Sequence, residues 1–146
     1  MFYNILAHIH SITRWLVLIT TFLAVLYAII NLSKGSLEER KCLQNRLAFM
    51  LTHFQLLLGL ILYFISPKVI FAGESMKDPL LRFFLVEHIA LMLIGVVLIT
   101  VGYLKYVKTE DIRRRHKLTI IYYGIAFLLY LAAIPWPFRN LGGGWF

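Results

Sequence analysis

Residues 80–106 read LLRFFLVEHIALMLIGVVLITVGYLKY, and this stretch decides the fold. It exceeds the ~20 residues that a helix needs to cross a bilayer core. Inside a bilayer every backbone polar group has to be satisfied within the segment, so the run is read as a transmembrane helix. Three more apolar runs, at about 5–32, 43–65 and 118–134, carry the same signature. The expected fold is all-α: a four-helix transmembrane up-down bundle forming one domain over residues 1–146.

Composition agrees. Hydrophobic residues make up 60% of the chain and charged residues 15%, against about 45–50% and about 25% in soluble domains. The mean hydropathy is +0.77. A net charge of +8 could point to nucleic acid in a soluble protein. Here the basic residues lie between the apolar runs, where they set topology, so no nucleic-acid partner is expected. The lone Cys42 excludes an internal disulfide and a multi-cysteine metal site. The first apolar run is too long for a cleavable signal and is read as a retained span.

Local signals place the helix ends. Lys34-Gly35 can close the first helix, and Ser36 with Glu39 has capping-box spacing in a tight hairpin. Ser66-Pro67 stops the second helix, and Asp78-Pro79 opens the third. Thr109-Glu110-Asp111 supplies a cap and two acids to the fourth, which Pro135-Trp136-Pro137 ends. The Gly142-Gly143-Gly144 tail is expected to be loose. Lys34, Arg40, Lys41 and Arg46 lie in the first hairpin, and Lys105, Lys108, Arg113, Arg114, Arg115 and Lys117 in the other short one. The opposite side has Lys68, Lys77, Arg82 and Arg139. By the positive-inside rule both termini face outward and the two short hairpins face the cytoplasm.

Small and polar residues mark the contact faces of membrane helices. On the first helix His10, Arg14, Val17, Thr21, Ala24, Ala28 and Asn31 form one stripe, while Trp15, Leu18, Phe22, Leu26 and Ile29 face lipid. On the second, Asn45, Ala48, Thr52, Gln55, Gly59, Tyr63 and Ser66 align, with His53 about a third of a turn away. His88, Gly95 and Gly102 share a stripe on the third, with Glu87 at its edge. Thr119, Tyr123, Ala126, Tyr130 and Ala133 do so on the fourth, with His116 nearby.

Ionisable residues inside spans default to a functional reading. At about 1.5 Å of rise per residue, His10 stands roughly 38 Å above its hairpin tip, His88 roughly 31 Å, His53 roughly 26 Å and His116 roughly 10 Å. His10 and His88 are thus within about a turn and a half in depth, on inward stripes of diagonal helices. Two imidazoles so placed can supply both axial ligands of a haem. Arg14 could neutralise a propionate, and Glu87 could pair with Arg14 or orient a histidine. Gly95 leaves room for a flat macrocycle. His53 is the alternate ligand, and a second haem on His53 and His116 is disfavoured by their offset of roughly 16 Å. Each of these histidines could instead hydrogen-bond a neighbouring helix. His8 is expected at the interface, and the Arg113-Arg114-Arg115 run as a topology determinant.

His10-Ser11-x-x-Arg14-Trp15, Thr52-His53-x-Gln55-x-x-x-Gly59-x-x-x-Tyr63, Val86-Glu87-His88 with Met92, and Ile134-Pro135-Trp136-Pro137 together resemble small bacterial four-span membrane proteins of a cytochrome b-like family. The resemblance spans nearly the whole chain. It implies b-type haem held by histidines in the bundle and electron transfer at the membrane, with His10, His53 and His88 as the matched histidines and Arg14 and Glu87 as their neighbours. His116 in its Arg-His-Lys setting also resembles a family position. With no CxxCH motif, the haem would be non-covalent.

The leading reading is therefore a membrane b-type cytochrome or cytochrome-like electron-transfer subunit with a bis-His haem b. It would be an electron carrier, with a membrane quinol or a redox protein as partner and lipid around it. Two alternatives stand beside it. One is a transition-metal site on His10, His53, His88 and Glu87. The other is a non-catalytic membrane subunit or assembly factor.

Overall fold

The computed structural model describes residues 2–34 and 43–141. The Gly35 cap, the Ser36–Glu39 hairpin, Arg40, Lys41, Cys42 and the glycine tail lie outside the described residues. Within them the chain is helical, with no strand. The first helix runs Phe2–Lys34 and the second Leu43–Ile65. The third long segment, Pro79–Lys108, is followed by the fourth helix, Ile112–Ala133. All four are long and apolar enough to cross a membrane.

The ends follow local chemistry. Asp78 caps the third segment, its carboxylate accepting from the Leu80 and Leu81 amides at 2.8 and 3.0 Å, with Pro79 in the first turn. Asp111 caps the fourth helix through the Arg113 amide at 3.0 Å. Thr109 instead closes the third segment, donating its hydroxyl to the Lys105 carbonyl at 2.8 Å. The fourth helix begins six residues before its apolar run at 118. Its first turns, rich in Arg and Lys, are helical but too polar for a hydropathy reading to include.

The third segment is not one continuous α-helix. Pro79–Arg82 is α-helical, Phe83–Glu87 is a π-helical turn, and α-helix resumes over His88–Lys108. The His88 amide donates to the Phe83 carbonyl, five residues back, which is the π pattern.

The first helix packs against the second and fourth, and the third against the fourth and, less extensively, the second. Small residues make this possible: Ala24, Ala28, Ala48, Ala126 and Ala133 are all buried at the contacts. The expected inward stripe of the fourth helix is buried throughout, from Thr119 to Ala133. On the first helix Val17, Thr21, Ala24 and Ala28 are buried as expected. Leu18, expected to face lipid, is buried in the core, and Trp15 packs edge-on against Trp136 with ring centroids 6.0 Å apart. Phe22, Leu26 and Ile29 do lie exposed. Long apolar side chains cover the outside of all four helices, a surface suited to lipid and unsuited to water.

Polar contacts tie the helices at both ends. At one end Tyr63 donates to the Leu85 carbonyl at 2.9 Å, and Tyr3 meets Ser66 at 3.4 Å. At the other, Asn45 donates to Thr119 at 2.7 Å, and Tyr123 donates to the Asn45 carbonyl at 3.1 Å. Lys105, Arg113, Arg114, Arg115 and Lys117 gather at this second end, and Lys68, Arg82 and Arg139 at the first.

Candidate functional site: a histidine-lined cavity between the helices

A cavity of about 310 Å³ lies among the four helices near the Tyr3–Ser66 end. That volume is at the lower end of the range for ligand pockets. His10, Arg14 and His88 all line it, so the diagonal pair inferred from depth does share one space.

Each histidine is held by a different device. His88 sits where the α-helix resumes after the π turn, and its Nδ1 lies 2.7 Å from the Ala133 carbonyl at the end of the fourth helix. A carbonyl can only accept, so Nδ1 carries the proton and Nε2 of the neutral ring keeps its lone pair. Metal-bound histidines are typically oriented in this way, through a backbone carbonyl on the far ring nitrogen.

His10 is positioned from the second helix. Gln55 donates its amide to the His10 carbonyl at 2.8 Å and accepts from the Thr13 hydroxyl. Gly59, one turn further on, gives the ring its place: a Cβ there would fall 3.2 Å from His10 Cε1. The Nδ1 of His10 is buried without a hydrogen-bond partner, an arrangement that costs about 1–3 kcal/mol unless something binds. Gln55, Gly59 and Tyr63 follow one another at four-residue spacing, and that spacing was the available signal for their role. The sequence places them on the small/polar stripe and in the Gln55-x-x-x-Gly59-x-x-x-Tyr63 motif, without assigning them a role at His10.

Other expected site residues lie elsewhere. His53 does not line the cavity. Its Nδ1 donates to the Phe49 carbonyl at 2.8 Å, and its Nε2 is 3.3 Å from the Thr100 hydroxyl, so both ring nitrogens are engaged with protein. Its offset from the second helix's polar face carries it away from the first helix, toward the third. Glu87 pairs with Arg82 at 2.8 Å, both side chains over 40% exposed, and neither orients a histidine nor meets Arg14 in the cavity. The π turn is the reason, because its five-residue hydrogen bonding stacks positions 82 and 87. Gly95 leaves no free slot: a Cβ on it would lie 2.2 Å from Tyr130 Cε1. The Tyr130 ring occupies that space and also lines the cavity, with its hydroxyl beside that of Thr52. His116 is buried at the other end against Tyr27, with ring centroids 6.1 Å apart. His8 is exposed at the cavity margin.

No family model, curated protein or solved structure matches this chain. Its chemistry has to be read from the site itself.

Among the described residues no three His, Cys, Asp or Glu side chains converge as a metal site. The four-residue metal cluster of His10, His53, His88 and Glu87 is therefore not assembled, because two members face elsewhere. Two imidazoles lining one cavity remain. A two-ligand group fits that donor set, with Nε2 of His88 available and Nδ1 of His10 buried and unpartnered.

Proposed function

We propose that this chain is a membrane b-type cytochrome, or a cytochrome-like electron-transfer subunit, with His10 and His88 as the axial ligands of one non-covalent haem b. The supporting observation is that both imidazoles line one cavity while the Ala133 carbonyl fixes the His88 tautomer. Bound there, the haem would supply a one-electron iron couple, tuned by axial ligands, hydrogen bonding and burial. The chain's own residues would set those terms. Ala133 orients His88, while Gln55 and Gly59 seat His10. Arg14, also in the lining, would offset negative charge on a propionate. His53 takes no part in ligation in this reading.

The bundle would be up-down, with both termini on the periplasmic side of a bacterial inner membrane and the two Arg/Lys-rich hairpins in the cytoplasm. The cavity would then open toward the outer side, where a quinol or a redox protein could exchange electrons with it. The cytochrome b-like motifs quoted above accord with this reading.

A reduced-minus-oxidised spectrum of the detergent-purified protein, with a pyridine haemochrome assay, tests it. A b-type α-band at near one haem per chain is expected, lost in His10→Ala and in His88→Ala and kept in His53→Ala. Protein made with ample haem yet carrying none would refute it.

A further inference from the structure

The glycines within the spans are of two kinds. Gly59, Gly95 and Gly102 sit at tight contacts, where an added Cβ would meet His10, Tyr130 and Tyr122 within 3.2 Å. At Gly124, in the middle of the fourth helix, it would meet nothing within 4 Å. Glycine is disfavoured inside a helix, and no close approach within this chain accounts for it there. The open space belongs to a groove on the outside of the bundle, between the first and fourth helices. Phe22, Val25, Ile121, Ile125 and Leu128 line it with Gly124, and the described lining is apolar throughout. Phe22 and Phe127 bridge the two helices past Gly124, with ring centroids 5.8 Å apart.

Toward the start of the fourth helix the same face changes character. Arg114, Lys117, Ile121, Gly124 and Leu128 recur at three- and four-residue spacing, which puts them on one face. Arg114 and Lys117 are exposed, and along the helix they stand about 15 Å and about 10 Å from Gly124. We propose that this face binds an anionic phospholipid, with one acyl chain in the Gly124 groove and the phosphate at Arg114 and Lys117. The two cations offer charge-assisted bonds to the phosphate oxygens, and a basic cluster at the end of a span is the setting in which anionic headgroups bind. The groove walls touch the chain on several sides and so add dispersion contacts that a flat helix surface does not. A second copy docked symmetrically through this face would set Arg114 and Lys117 against their own counterparts, whereas a phosphate brings the complementary charge. The groove shares no lining residue with the histidine cavity, so this inference stands independently of the haem.

Native mass spectrometry of the detergent-purified chain, titrated with dioleoylphosphatidylglycerol or dioleoylphosphatidylcholine, reads lipid retention and oligomeric state together. Unmodified protein should hold one phosphatidylglycerol about tenfold more tightly than phosphatidylcholine. Arg114→Gln combined with Lys117→Gln should bring that ratio near one. Gly124→Leu has room for its side chain in the groove. It should weaken phosphatidylglycerol retention about tenfold, with helicity unchanged. Equal retention of the two lipids, a preference that survives the double substitution, or a Gly124→Leu variant that binds like unmodified protein overturns the proposal. Loss of a dimer in Gly124→Leu, with lipid retention unaltered, also overturns it and assigns the groove to a second copy.

Discussion

Replacing Gly95 by alanine should destabilise the bundle, against the ordinary helix preference for alanine. The added Cβ would lie 2.2 Å from Tyr130 Cε1, 2.9 Å from Cζ and 3.0 Å from Cδ1. Carbon atoms pack comfortably at about 3.5–4.0 Å, so the ring has to retreat by roughly 1 Å or more. Tyr130 is only 3% exposed, and its open direction is the cavity it lines. Overpacking of this kind costs about 1–3 kcal/mol, and a clash along one whole ring edge belongs at the upper end. Removing a glycine from a helix interior returns about 1 kcal/mol. The net expectation is a loss of about 2 kcal/mol. Unfolding in mixed micelles titrated with SDS, followed by circular dichroism, reads this directly. In a Tyr130→Leu background the added methyl group has no ring to displace, and Gly95→Ala should be neutral or mildly stabilising. An equal penalty in both backgrounds, or no penalty in the native one, would refute the ring contact as the cause.

Three further outcomes are expected. Asn45→Ala removes a fully buried donor to Thr119 and should cost about 1–3 kcal/mol in the same SDS titration. Glu87→Gln should shift stability by no more than about 1 kcal/mol, since its pair with Arg82 is solvent-screened; in haem-loaded protein it should leave the α-band unmoved, and a displaced band would place Glu87 next to His88 after all. Asp78→Ala deletes the side-chain cap of the third segment and should cost about 0.5–2 kcal/mol, with faster hydrogen exchange at the Leu80 and Leu81 amides as its local mark.

The spans were legible because length and hydropathy suffice for them, and the second helix spans the same residues as its apolar run. The inward face of the fourth helix was legible too, because small and polar residues at helical spacing have no reason to face lipid. Leu18 shows where this logic stops. Lipid and protein core are equally apolar, so leucine carries no address of its own. Glu87 was misplaced because its surroundings depend on a π turn that no residue in FFLVE announces. Gly95 was read as vacant space because its occupant, Tyr130, comes from another helix, and a stripe on one helix does not identify what fills it. His10 and His88 came together as read because depth and face were both constrained. His53 had the depth without the face.

The π-helical turn ahead of His88 bears on how this chain tolerates changes in length. A π turn holds one residue more than the α-helical turn it replaces. Deleting a single residue within 83–86 would leave a continuous α-helix and an unturned His88. The turn absorbs that extra residue locally, so the preceding segment would keep nearly its facing, while the contacts made through the turn would be reset: Arg82 to Glu87, and Phe83 beneath the Arg139 guanidinium, now 4.9 Å from its ring centroid. The turn works as a slip joint: one residue can be gained or lost within it without rotating the imidazole that follows.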